Sequence, residues 1–213
     1  MQNDFDDCFK ITVPSLLMKT NYIQMKNLFI VVFVLLCFGV KAQEATKADV
    51  KFASADPSPA DIVYFPLNAA KVKEDDAIKP IIKVIYSRPQ KKGRDIFGVL
   101  EQFGNVWRFG ANESTEIKFF KKVTISGRKI KAGTYSLFAI PNKDTWTIIL
   151  NSQTDRWGAF TYDQNKDIVR VNVPVKSLAK PIEYFSITFT PLTAGATLIA
   201  AWDKTQVELP IAF

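Results

Sequence analysis

The 213-residue chain has no histidine, and its two cysteines, Cys8 and Cys37, both fall before residue 43. Without imidazole there is no Ser-His-Asp or Cys-His nucleophile system. His/Cys zinc sites, histidine-ligated haem and iron–sulfur clusters are excluded with them. A chain matured past residue 42 has no thiol left to form a disulfide. Catalysis, if any, falls to Asp, Glu, Lys, Arg, Tyr, Ser, Thr or backbone groups. No Gly-rich phosphate loop is present. No cofactor and no metal are expected.

What is there suits a folded, basic protein. A hydrophobic fraction of 47%, with 17 Phe, is enough to build a core and sets the chain apart from disordered sequences. The formal net charge is +7. Apart from Lys91-Lys92-Gly93-Arg94, the cations are scattered over polar strand faces, as on an ordinary basic surface. No motif of a nucleic-acid-binding module occurs, so no nucleic-acid partner is expected.

The first residues read as targeting rather than fold. Met25-Lys26-Asn27 is a short basic start, residues 28–40 are an unbroken apolar run, and Val40-Lys41-Ala42 carries the residues a signal peptidase reads. The run falls short of the roughly 20 residues of a transmembrane helix. The expectation is an upstream extension at 1–24, outside the fold, and a signal peptide at 25–42. A flexible lead-in at 43–60 and the folded domain at 61–213 follow. Asp4, Asp6 and Asp7 have the wrong charge for a signal sequence, which points to a translation start at Met25. Leu36 stands before Cys37 where a lipoprotein signal needs a small residue. The mature chain is expected to be exported without a membrane span, to the periplasm, the envelope or the outside.

From residue 60 onward the apolar pattern has period two. Ile62 to Phe65 reads as an edge strand closed by Pro66, and Ile81 to Tyr86 as a buried strand. Thr115 to Ile125 alternates with Ile117, Phe119, Val123 and Ile125 on one face, and Phe119-Phe120 suggests a bulge. Ser126-Gly127-Arg128 is a hairpin turn. Thr134 to Ile140 is apolar on both sides and so reads as a central strand. Trp146, Ile148 and Leu150 alternate, as do Val169, Val171, Val173 and Val175, and then Phe185, Ile187 and Phe189. Leu198–Trp202 and Val207–Ile211 read as two strands around Asp203-Lys204-Thr205. Ile96 to Phe103 is a short helix or an irregular segment. The fold class is all-β: a single antiparallel β-sandwich, jelly-roll-like, after an N-terminal signal peptide.

Several motifs occur together in one order: Tyr86-Ser87-Arg88-Pro89, Lys92 to Gly98, Trp107-Arg108-Phe109-Gly110-Ala111-Asn112-Glu113-Ser114-Thr115, and Ala132 to Pro141. The ending Trp202-Asp203 with Val207 and Pro210 completes the set. Together they resemble the secreted bacterial family called domain of unknown function 2911, from about Asp61 to near the C-terminus. The resemblance implies an exported, β-rich protein and implies no activity.

Candidate site residues come from those loops. Arg88, Arg94 and Arg108, if gathered at one end of a sandwich, could hold an anionic small molecule; otherwise each ties down a loop through carbonyls or Glu113 and Glu116. Asn112 and Glu113 could hydrogen-bond a glycan stacked on Trp107; otherwise they form a turn, with Asn112 left-handed and Glu113 paired to Arg108. A binding or interaction module is therefore the first reading. The alternatives are a His-independent hydrolase using Glu113 with Asp95 or Asp155, and a structural envelope protein. Asp203 is a further acid with no spacing to single it out. Of the tryptophans, Trp146 and Trp202 sit in alternating strands and read as core, whereas Trp157 lies beside Gly158 in a polar loop and is the better exposed candidate. Asp163-Gln164-Asn165-Lys166-Asp167 has alternating oxygen ligands but reads as a surface turn, because Lys166 intrudes and no closing Glu follows.

Overall fold

The computed structural model describes residues 26–27, 50–69 and 78–213. The proposed extension at 1–24 and, apart from Lys26 and Asn27, the proposed signal peptide lie outside these residues, as do 43–49 and 70–77. The chain divides into two compact units, residues 1–52 and 53–213, and everything below concerns the second.

That unit is built of antiparallel strands: β1 (Ala60–Phe65), β2 (Ile82–Ser87), β3 (Thr115–Phe119), β4 (Val123–Ile125), β5 (Arg128–Ile130), β6 (Gly133–Ile140), β7 (Thr145–Asn151), β8 (Asp167–Pro174), β9 (Lys176–Leu192) and β10 (Gly195–Ala212). One sheet has the order β1-β2-β3-β6-β7-β8 and the other β5-β4-β10-β9. Two antiparallel sheets enclosing one core make an all-β, sandwich-like fold. No described helix is long and apolar enough to cross a membrane.

Period-two alternation decides which side chains enter the core. Ile82, Val84 and Tyr86 of β2 point in, as do Ile117 and Phe119 of β3, Phe185, Ile187 and Phe189 of β9, and Leu198, Ala200 and Trp202 of β10. β6 is central, between β3 and β7, and is buried on its second face too: Phe138 meets Tyr162 there at 5.2 Å. At the heart lies an aromatic cluster. Trp107 stacks on Trp202 with ring centroids 6.1 Å apart, and Phe97 sets its edge on Trp146 at 4.6 Å.

Three strand expectations are corrected. Thr115–Ile125 is not one bulged strand: the chain leaves the first sheet after Phe119 and enters the second at Val123, and exposed Phe120 and Lys121 mark the crossing. Leu198–Trp202 and Val207–Ile211 are parts of one long β10, because Asp203 takes a left-handed φ of 52° and absorbs the break as a bulge. β9 starts at Lys176, well before Phe185, and its register slips around Pro181, which has no N–H to give to the ladder. The segment at 96–103 is irregular, made of turns.

Candidate functional site

The run Trp107–Thr115 divides into an inner half and an outer half. Trp107 is only 3% exposed and Phe109 0%. The Trp107 backbone exchanges hydrogen bonds with Ala139, and its indole N–H donates to the Gly110 carbonyl at 3.1 Å. The Thr115 hydroxyl donates to the Phe109 carbonyl at 2.6 Å, holding Phe109 at a left-handed φ of 57°. Gly110 passes so close to β2 that a Cβ there would lie 3.0 Å from the Ser87 carbonyl. Trp107 is thus a core residue and offers no face to a ligand, which corrects its reading as a stacking platform.

The outer half is zipped to a distant loop. Asn112 is left-handed, φ 59°, and its carbonyl accepts the Gly158 N–H at 2.9 Å. Glu113 bridges Trp157, and the Ser114 N–H donates to the Arg156 carbonyl at 2.8 Å. Beside this ribbon, the Asp155 N–H donates to Glu116 Oε1 at 2.8 Å. The result is a cleft of about 270 Å³. Glu113, Glu116 and Asp155 line it together with Arg156, Trp157, the hydroxyl residues Ser87 and Ser114, and Ala60, Ile85 and Tyr86 of the first sheet. Glu113 and Asp155 are exposed and Glu116 half-buried. Trp157 itself is 62% exposed. Arg156 Nε is buried without a hydrogen-bond partner.

The three candidate arginines lie elsewhere, and none lines the cleft. Arg88 joins the two sheets: it donates to Asp61 at 3.0 Å, to the Phe185 carbonyl at 3.2 Å and to Ser186 Oγ at 2.9 Å. Next to it the Tyr86 hydroxyl accepts the Ile187 N–H at 3.0 Å, and burial pushes the phenol's pKa up. Arg94 donates to the carbonyls of Lys91 and Gln90. Arg108 runs beneath Gly158, its Nε buried and unpartnered, and forms no ion pair with Glu113 among the described residues. Arg108 and Arg94 act instead on Glu101, where burial outweighs both cations and lifts the carboxyl pKa to about 7.

Of the acids considered, Glu113 and Asp155 come together. Asp95 does not line the cleft, and Asp203 is paired to Lys91 at 3.0 Å. No metal-holding group of acids occurs among the described residues. In the 163–167 segment Asp163 caps a short 3-10 turn, accepting the Asn165 N–H at 2.9 Å, while Asp167 takes the Tyr162 hydroxyl at 2.6 Å. Sequence reasoning missed Ser87, Ser114 and Arg156 as cleft residues. The one signal for that wall was Trp157-Gly158 in a polar loop.

The chain matches no curated protein and no solved structure. The family described as "Protein of unknown function (DUF2911)" matches residues 68–211, a span that takes in β2 to β9, all of β10 but its last residue and nearly all of the cleft, and the chain belongs to that family.

Proposed function

We propose that this protein is an exported carbohydrate-binding module whose site is the cleft between Glu113 and Trp157. One observation carries the reading: an exposed indole stands at a cleft with three carboxylates. Indole faces pack on the apolar C–H faces of pyranose rings, and carboxylates accept sugar hydroxyl protons. The volume approaches the lower end of small-molecule pockets, roughly 300 Å³, and suits one or two sugar rings. An anionic ligand fits less well, because three acids face one guanidinium. Export rests on the basic start at Met25, the apolar run 28–40 and Ala42. Titrating residues 53–213 with soluble chitotriose, cellotriose and mannotriose by calorimetry tests binding. N-terminal sequencing of the mature protein from cell fractions tests export.

A second reading has its own support. Glu113 and Asp155 share the cleft, and paired carboxylates are the minimum equipment for glycoside hydrolysis without histidine. Release of reducing ends from the same oligosaccharides, abolished by Glu113→Gln, separates a hydrolase from a binder. Binding without turnover leaves the module reading standing.

A further inference from the structure

We propose that the cleft selects a glycan with a free, protonated amino group over the same glycan in its neutral, N-acetylated form. The inference rests on the carbohydrate reading of the cleft and names the sugar chemistry it takes. Two different features meet there: the exposed Trp157 and an excess of acid. Glu113, Glu116 and Asp155 line the cleft, and Arg156 is the one cation among the lining residues. None of these four forms an ion pair with a described residue.

The carboxylates are also short of hydrogen bonds. Glu113 is exposed, and its side chain takes none from the described residues. Glu116 gives Oε1 to the Asp155 N–H at 2.8 Å, and the Asp155 side chain takes only the Thr154 hydroxyl at 3.0 Å. The Glu116 bond holds Asp155 at a left-handed φ of 58°, which fixes the acid from the loop beside the acid from β3. Neighbouring cations do not fill the deficit. Two residues beyond Ile85 and Glu116, the register sets Lys83 opposite Lys118. Their ammonium groups lie over the Tyr64 and Phe120 rings, at 6.0 and 4.9 Å, and neither lysine lines the cleft. Arg88 is held by Asp61, and Arg108 acts on Glu101.

A sugar ammonium suits this lining better than a hydroxyl or an acetamide. It brings three donors and no acceptor, its bonds to carboxylates are charge-assisted, and an indole face attracts the same charge. The chain as a whole carries +7 and repels a cation, so a preference for the charged sugar reports the cleft and not the general surface.

Calorimetric titration of the purified protein compares the glucosamine trisaccharide with chitotriose, its N-acetylated counterpart, at mildly acidic pH, where free sugar amines are protonated. The amine form is expected to bind about tenfold more tightly, and added salt to narrow the gap. Glu113→Gln and Asp155→Asn each shrink the preference about threefold. Both sites are exposed, and Asn tolerates the left-handed backbone at 155. Chitotriose that binds as tightly as the amine form overturns the inference and leaves the carbohydrate reading intact. A preference that survives undiminished in both variants overturns it too, because the charge is then sensed elsewhere. Binding of neither trisaccharide also overturns it, and the cellotriose and mannotriose titrations then decide the carbohydrate reading by themselves.

Discussion

Glu113 and Trp157 meet across an isolated antiparallel bridge, so a carboxylate and an exposed indole from distant stretches open onto one cleft. Gly158 makes the bridge feasible. Its φ is +67°, and a Cβ there would press within 2.8 Å of the Phe160 ring and 3.1 Å of Arg108. Gly158→Ala is expected to cost about 1–2 kcal/mol of stability and to weaken binding at the cleft. Denaturant titration and oligosaccharide titration of the same variant check both.

Trp107 belongs to the core and not to a ligand site. Trp107→Ala empties the centre of the aromatic cluster and leaves the Gly110 carbonyl without its donor. A loss of about 3–5 kcal/mol is expected, read as a lower urea midpoint.

Arg88 is a strut between the sheets. Arg88→Ala removes bonds to Asp61, the Phe185 carbonyl and Ser186, and is expected to cost about 1–2 kcal/mol. Asp61→Asn removes a partly exposed ion pair and weakens a long hydrogen bond from the Tyr86 hydroxyl at 3.3 Å, and should cost less than about 1 kcal/mol. A double-mutant cycle by chemical denaturation separates the pair from the carbonyl bond.

Glu101 makes stability depend on pH. Its carboxyl is raised from 4.5 in the unfolded chain to about 7 in the fold, so the native state holds the proton more tightly. Stability is therefore highest below about pH 4.5 as far as this group is concerned, and falls as pH rises through 4.5 to 7. With partial solvent access allowed for, the change is at most about 2 kcal/mol. Glu101→Gln should flatten this part of the stability profile, as followed by melts from acid to neutral pH.

The fold class was legible because alternation survives in nearly every strand: Ile117 and Phe119, Trp146 and Ile148, Phe185 and Ile187 all point where period two puts them. What alternation could not say is which sheet a strand joins. Thr115 to Ile125 keeps one apolar face while changing sheets at Phe120, since both sheets bury their apolar side against the same core. The candidate cleft was half legible. Glu113 and the exposed Trp157 were readable from local composition, but the bridge that joins them is a long-range pairing with no local signature. Trp107 misled because a tryptophan in a polar, Gly-containing run suits a binding loop. Its partners Ala139 and Trp202 appear only once the chain has folded.

The most direct test of the central claim is calorimetric titration of soluble oligosaccharides into residues 53–213 and into Trp157→Ala. Trp157 is 62% exposed, so its removal should leave the melting temperature unchanged. Binding is expected in the wild type and to weaken by about 1 kcal/mol or more, at least fivefold, in the variant. A wild type that binds none of the oligosaccharides, or a variant that binds them equally well, would contradict the assignment of this cleft to a sugar.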